Sequence, residues 1–205
     1  METPPNRRWS LGIGIKSRWS GPVVLSKPVF IDVKGHWAET DIKKLADQKI
    51  VDTAVNRFKP DEVISKGETI SMLVKALDLN RYFPDKPSFS DVTKEYRYYG
   101  DIEGAFKSGI IKGDNGKFNP GGELTRETLA VFAAKGFGDL KNHDDVTLDR
   151  FKDAGKISDW AKNDVLTAVK LGLFTGDGQG NFNPLQKVTK AEAAAVIARV
   201  IAAQG

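Results

Sequence analysis

The sequence contains no cysteine and only two histidines, His36 and His143, among its 205 residues. Without cysteine the chain can form neither a disulfide framework nor a thiolate zinc site. Two histidines are too few for a histidine-rich metal centre. No apolar run approaches the roughly 18–20 residues that a membrane-spanning helix needs. We therefore expect no metal, no cofactor and no membrane insertion.

The net charge of +4 arises within residues 1–28, and the remaining residues balance to zero. This segment is basic because it carries Arg7, Arg8, Lys16, Arg18 and Lys27 against Glu2. Its apolar residues alternate with polar or small ones, which is strand periodicity. We interpret residues 1–28 as a basic leader or a remnant strand. Because nucleic-acid binding proteins carry their positive charge on the folded domain, we expect no nucleic-acid partner.

The rest of the chain has an ordinary globular composition, 40% hydrophobic and 28% charged, and contains a repeated pattern. The tripeptide Phe-x-Asp begins at Phe30, Phe89 and Phe151, at spacings of 59 and 62 residues. A helical apolar stripe follows each copy. These stripes are Ile42, Leu45, Ala46 and Ile50; Ile102, Ala105, Phe106 and Ile110; and Val165, Ala168, Val169 and Leu173.

Each stripe leads into a turn-rich loop, a Phe-x-Pro signature and a second apolar stripe. The prolines of this signature are Pro60, Pro120 and Pro184. One such helix–loop–helix hairpin exposes too much apolar surface to be stable alone, whereas three can bury their second helices against each other. The sequence therefore predicts an all-α, monomeric, pseudo-threefold and three-pronged unit around a central helical bundle. Its repeats span residues 29–80, 81–140 and 141–205.

Polar residues at the start of the second helices predict how these helices are capped. Ser65 with Glu68, and Thr189 with Glu192, fit the capping box, in which hydroxyl and carboxylate satisfy backbone donors reciprocally. In the second repeat the acid comes one position early. We expect Thr125 to cap this helix without the reciprocal carboxylate.

A cation occupies the first position of each second helix: Lys66, Arg126 and Lys190. A positive side chain is unfavourable there by roughly 0.3–1 kcal/mol, because this end of the helix dipole is already positive. All three repeats nevertheless keep it. Free N–H groups at a helix start together with an adjacent cation form an anion pocket. The pattern therefore predicts three anion-binding positions.

Aromatic residues stand near the start of the first helices: Trp37, Tyr98 or Tyr99, and Trp160. Such rings can stack on a sugar, pack in the core, or do both. Three roles stay open for the aspartates that precede these helices, namely capping, binding of hydroxyls and pairing with a cation. These aspartates are Asp32, Asp91 and Asp153.

The loops of the last two repeats carry a glycine, Gly113 or Gly176, where the first repeat has Thr53. We expect these glycines to end the first helices in a left-handed conformation, and the first repeat to end its helix differently.

Taken together, these motifs resemble the S-layer homology family. The resemblance covers about residues 29–203 and rests on the Phe-x-Asp starts, His36-Trp37-Ala38, the Gly-Asp-x-x-Gly-x-Phe-x-Pro loops and the Ser/Thr-Lys/Arg-x-Glu helix starts. The second repeat departs from it with Arg97-Tyr98-Tyr99 in place of His-Trp-Ala. The grooves between repeats should therefore be unequal.

The resemblance implies an extracellular module that anchors surface-layer proteins or exoenzymes non-covalently to the bacterial cell wall. Its ligand would be an acidic secondary cell-wall polysaccharide, often with a pyruvate ketal on N-acetylmannosamine. The family's signature cation maps onto Lys66, Arg126 and Lys190, and its tryptophan onto Trp37 and Trp160. Its loop glycine maps onto Gly113 and Gly176.

Other functions fit the sequence less well. Notable features occur in two or three copies, whereas a catalytic site is singular, so we expect no enzyme activity. The loop that begins at Asp177 looks like a calcium-binding loop, but its twelfth position holds Val188 instead of glutamate. A peptidoglycan-binding anchor and a protein-binding adaptor remain open alternatives.

Overall fold

The computed structural model describes residues 30–137 and 146–204. These ranges contain helices and short 3-10 turns but no strand, which confirms the all-α fold class. The predicted leader at residues 1–28 and His143 lie outside the described residues. The helices are α1 (Glu39–Asp47), α2 (Lys66–Ala76), α3 (Tyr99–Lys107), α4 (Arg126–Lys135), α5 (Lys162–Lys170) and α6 (Lys190–Ala202).

The helices of different repeats are interlocked. The second helices α2, α4 and α6 contact one another pairwise, and each first helix packs on the second helix of another repeat: α1 on α6, α3 on α2 and α5 on α4. These contacts follow one cyclic order, as the predicted pseudo-threefold unit requires. The rotational symmetry itself stays a prediction.

The two apolar helix stripes of each repeat together form most of the core. Leu73, Ala133 and Ile197 of the second helices are fully buried, and so are Ile42, Ile102 and Val165 of the first helices. Phe106 is the exception, because it is 39% exposed and packs edge-on against Phe89 at the rim of the core.

A ring of backbone hydrogen bonds joins the three repeats just before the second helices. The N–H of Ile64 donates to the carbonyl of Val188, Val188 donates to Leu124, and Leu124 donates back to Ile64. All three residues are buried. Because the ring closes on itself, each repeat holds one of its neighbours and is held by the other.

The same loops satisfy the helix starts, which corrects the expectation of free N–H groups there. The N–H groups of Lys66 and Gly67 donate to the carbonyls of Gly122 and Pro120 in the next repeat. The corresponding donors of α4 bond to Gln186 and Pro184, and those of α6 to Glu62 and Pro60. The Phe-x-Pro prolines thus supply acceptors. These helix starts have no free donors to offer an anion at their first two positions.

Side-chain capping follows the prediction in two of the three helices. Thr189 and Glu192 form the complete capping box, and Thr125 caps α4 without a reciprocal carboxylate. Ser65 caps α2 through the backbone N–H of Glu68, but the Glu68 carboxylate does not return to the helix start. It pairs instead with Lys190 from another repeat, so the first capping box is incomplete.

The first helices do not end at the predicted glycines. Each ends with two hydrogen bonds of the Schellman type, around a left-handed residue that follows the helix: Lys49 (φ 58°), Gly109 (φ 78°) or Gly172 (φ 69°). Gly113 and Gly176 come later in their loops. The helix end of the first repeat does differ, as expected, but the difference lies at Lys49, where the other two repeats have glycine.

Candidate functional site

A groove lies at each place where the three repeats meet, and each groove combines a cation, a loop and the start of a first helix from different repeats. Groove A contains Lys66, Gly113 and Trp160. Groove B contains Arg126, Gly176 and Trp37. Groove C contains Lys190, Asp52 and Tyr98. The structure therefore brings together the cations, loop glycines and aromatic residues that the sequence singled out.

Groove A is the largest, at about 1100 Å³. Lys66, Lys112 and Lys117 line it, and none of their ammonium groups has a hydrogen bond or ion pair among the residues that the structure describes. Trp160 is 61% exposed at its edge. Groove A thus offers unpaired positive charge beside an accessible indole ring.

Groove B is smaller, about 320 Å³, and its charges are balanced. The Arg126 guanidinium donates to the carbonyl of Thr175 at 2.6 Å and lies over the rings of Phe174 and Phe182. Burial lowers the pKa of Arg126, and the charge of Glu192 acts in the opposite direction. An arginine stays charged under these conditions.

In groove C the space beside Lys190 is only about 70 Å³. An adjoining cavity of about 400 Å³, beside Thr53 and Arg97, does not reach Lys190. The Lys190 ammonium pairs with Glu68 at 3.1 Å. Arg97 pairs with Asp52 at 3.0 Å and lies 4.7 Å from the centre of the Tyr98 ring. Burial, aided by the charge of Glu68, raises the pKa of Tyr98 to about 12. Both cations therefore already have carboxylate partners.

The helix starts correct the assignment of Tyr98. Tyr98 precedes α3 directly, as Ala38 precedes α1 and Ala161 precedes α5. Arg97 therefore takes the place of Trp37 and Trp160. Counting back five residues from Ile42, Ile102 and Val165 of the helical stripes would have found this register. Groove C presents an arginine where the other two present tryptophan.

The three aspartates of the Phe-x-Asp motif hold the Phe-x-Pro loops. Both carboxylate oxygens of each accept backbone N–H groups: Asp32 from Phe58 and Lys59, Asp91 from Phe118 and Asn119, and Asp153 from Phe182 and Asn183. Burial acts to raise the pKa of Asp32 and Asp91, but these donors outweigh it and lower the pKa. For these three aspartates a contact with sugar stays a prediction. Their hydrogen bonds to the Phe-x-Pro loops already give them a structural role.

The loop glycines have a structural reason too. Gly113 has φ of 72°, and a Cβ there would lie 2.4 Å from the Phe89 ring. A Cβ at Gly176 would lie 3.1 Å from the Phe151 ring. Both loops thus pack against the phenylalanine of their own Phe-x-Asp motif. Access of a ligand to their backbone stays a prediction.

Two chemical absences apply to the part of the chain that the structure describes. It holds no group of three or more histidine, cysteine, aspartate or glutamate residues placed to bind a metal ion. None of its helices has the length and apolar character that crossing a membrane requires.

The fold and the grooves define a class, helical repeat modules with grooves between the repeats. The chain belongs to the S-layer homology domain family, whose model matches residues 29–70, 88–130 and 150–194.

The similar curated proteins include enzymes and surface-layer proteins. The chain is 35% identical to the exoglucanase XynX of Acetivibrio thermocellus, with 85% of this chain and 16% of that protein covered. It is 29% identical to the S-layer protein sap of Bacillus anthracis, with 87% of this chain and 22% of that protein covered. It is 30% identical to an S-layer protein of Bacillus licheniformis, with 86% of this chain and 20% of that protein covered. The chain thus spans about a fifth of each of these relatives.

Domains of this family bind cell-wall polymers and anchor proteins to the cell surface. The enzyme names carry no catalytic activity over to this chain, because the match covers only a small share of those relatives.

Proposed function

We propose that this chain is a non-catalytic anchoring module that holds an acidic cell-wall polysaccharide outside the cell, in the grooves between its repeats. The observation that carries the proposal is the unpaired Lys66 in groove A, beside Gly113 and the exposed Trp160. A lysine held at a fixed helix position without an anionic partner suits a ligand that brings its own carboxylate.

The family resemblance suggests which carboxylate this is, the pyruvate ketal of an N-acetylmannosamine residue. In groove A the ketal would pair with Lys66, with further positive charge from Lys112 and Lys117. The exposed face of Trp160 would stack on the sugar ring. Because Lys66 is only partly exposed, water screens its pairing with the ligand less than at an open surface.

Groove B would contribute a second, weaker site. Arg126 is held in place by the Thr175 carbonyl and by two phenylalanine rings, and Trp37 is 65% exposed nearby. A fixed guanidinium can bind a carboxylate with two parallel bonds. The negative charges of Asp177 and Glu192 reduce the attraction for an anionic ligand.

The test is a titration of the chain with a short pyruvylated wall glycan, with its non-pyruvylated twin as the ligand control. Lys66→Ala should cost roughly 1.5–3 kcal/mol of binding free energy at its groove, as expected for a charge-assisted hydrogen bond. Binding to whole wall sacculi should fall less if several grooves act together. Lys156→Ala, at an exposed lysine outside the grooves, is the matched control.

Two outcomes would contradict the proposal. The first is a folded variant with alanine at Lys66, Arg126 and Lys190 that binds the glycan as tightly as the original chain. This result would exclude the grooves as the binding sites. Equal retention on depyruvylated sacculi would favour a differently decorated peptidoglycan, or a protein partner, as the ligand.

A further inference from the structure

The third position of each second helix faces the cation of another repeat across a groove. Thr128 of α4 lies in groove A with Lys66. Glu192 of α6 lies in groove B with Arg126. Glu68 of α2 lies in groove C with Lys190. Three equivalent positions thus carry one neutral and two acidic side chains, and the cations opposite them differ in what they bind.

In groove C the acidic side chain is bound to the cation. The Glu68 carboxylate lies 3.1 Å from the Lys190 ammonium, and both side chains are largely withdrawn from water, at 27% and 19% exposure. Ser65 caps the backbone N–H of Glu68, whereas the Glu68 carboxylate, which a capping box would place on the N–H of Ser65, lies on Lys190 instead. Arg97 and Lys75 of the same groove are also occupied, by Asp52 and by the carbonyl of Ile50.

In groove B the acidic side chain is held by its own helix start. Glu192 accepts the N–H of Thr189 at 2.8 Å and a weaker bond from Gln186 at 3.4 Å. Arg126 meanwhile donates to Thr175. Glu192 therefore adds negative charge to groove B without forming an ion pair with Arg126.

In groove A the facing residue is uncharged. The Thr128 hydroxyl bonds to the hydroxyl of Thr125 at 2.8 Å, and no carboxylate pairs with Lys66 in the described ranges. Two carboxylates line groove A. Asp91 uses both of its oxygens on the loop, and Asp114 forms no ion pair with Lys66 in the described residues.

We propose that this third helix position determines which grooves accept an acidic sugar. Glu68 is an internal carboxylate that takes the ligand's place at Lys190 and so closes groove C at its cation, whereas Thr128 leaves groove A open. This inference rests on the proposed function and adds that the module has one open groove, one weakened groove and one closed groove.

The test exchanges the side chains between grooves. Thr128→Glu should weaken binding of a pyruvylated N-acetylmannosamine methyl glycoside at groove A by about tenfold or more, as expected when an internal ion pair must be broken. Thr128→Gln introduces a side chain that is as large as glutamate but uncharged. It should change the affinity for the glycoside at groove A by less than about threefold. Thr125 caps α4 through the backbone N–H of Thr128, and this bond does not depend on the side chain at that position, so the fold should tolerate Thr128→Glu.

Glu68→Gln and Glu68→Thr should open groove C to the same glycoside. In NMR spectra, amide resonances of residues near Lys190 should then shift when the glycoside is titrated into either variant. In the original chain the same resonances should not shift. Calorimetry should find one additional site. Adding Lys190→Ala to either variant should abolish the new site while groove A still binds.

Each failure has a separate meaning. If Glu68→Gln creates no new site, or if the original chain binds at groove C as tightly as at groove A, the inference is wrong and the proposed function stands. If no variant binds the pyruvylated glycoside at all, both the inference and the proposed function are wrong. Circular dichroism and a thermal melt of every variant ensure that lost binding is not lost folding.

Discussion

At the scale of single residues, equivalent positions have different surroundings. Lys66, Arg126 and Lys190 all begin a helix, as the sequence predicted. Among the described residues, however, the first has no partner, the second bonds to a carbonyl and the third pairs with a carboxylate. The sequence could place the cations because the helix start is a local signal. It could not identify their neighbours, because these come from other repeats.

The electrostatic surroundings of the three cations also differ from those that the sequence suggested. Carbonyls of a neighbouring loop accept the first N–H groups of each second helix. Their partial negative charge offsets the positive end of the helix dipole, so a cation there is less unfavourable than the sequence suggested. The case for an anion site therefore depends on whether the cation has a partner in its groove.

Asp91→Asn should destabilise the protein at neutral pH by about 2 kcal/mol, because the carboxylate accepts two backbone N–H groups and an amide can place its own donor against one of them. The pKa of Asp91 is lower in the folded protein than its ordinary value. Its stabilisation is therefore complete above the unfolded value, about 3.9, and is lost as the pH falls through the folded value.

Urea unfolding at neutral pH and at successively lower pH measures this difference. The free-energy gap between the original chain and Asp91→Asn should narrow on acidification below about pH 4. Asp149→Asn, at an exposed aspartate, is the matched control and should have little effect at any pH. A gap that stays constant through acid would show that the carboxylate charge is not what holds the loop.

At the scale of helices and loops, the end of α1 differs from those of α3 and α5. Lys49 adopts the left-handed conformation that glycine takes at Gly109 and Gly172. Lys49→Gly should therefore stabilise the protein by about 0.5–1 kcal/mol, since a side chain in this conformation is strained. Chemical denaturation measures the change.

The reverse exchange is the control for this prediction. Gly172→Lys should destabilise by a similar amount through conformation alone, because no atom lies within 4 Å of a Cβ placed there. Destabilisation by Lys49→Gly would mean that the Lys49 side chain makes a stabilising contact that outweighs its strain.

Sequence reasoning was most reliable for periodic features and least reliable for register and loop ends. The apolar stripes located all six helices, because a buried helix face repeats along the chain. The prediction for Tyr98 is wrong by one residue, because the number of residues between Phe-x-Asp and the first helix differs in every repeat. The sequence wrongly predicts a helix end at Gly113, because glycine also serves where backbone and side chains pack closely.

At the scale of the whole molecule, the three repeats bury one another. α1 packs on α6, and the start of α6 is held by loop carbonyls from the first repeat. A chain truncated after residue 149 should therefore lose its cooperative thermal transition, because it leaves the core face of α1 uncovered and the backbone ring open. Circular dichroism melts and hydrogen exchange measure this loss. A sharp transition in the truncated chain would show instead that two repeats fold alone.

The groove architecture could not be read from the sequence, because every groove takes its cation, loop and first-helix residue from three different repeats. The sequence identified most of the participants, and the chain's cyclic packing determined how they are combined. Lys112 and Lys117 belong to no repeated signature, and Thr128 stands where the helix-start signature of the other two repeats has glutamate. The sequence therefore did not mark these three as site residues.

The closed backbone ring also limits how such modules can grow by gene duplication. Ile64, Leu124 and Val188 use each other's donors and acceptors completely in the direction of the ring. A fourth tandem copy would find neither a donor nor an acceptor there, so longer arrays should add copies in sets of three.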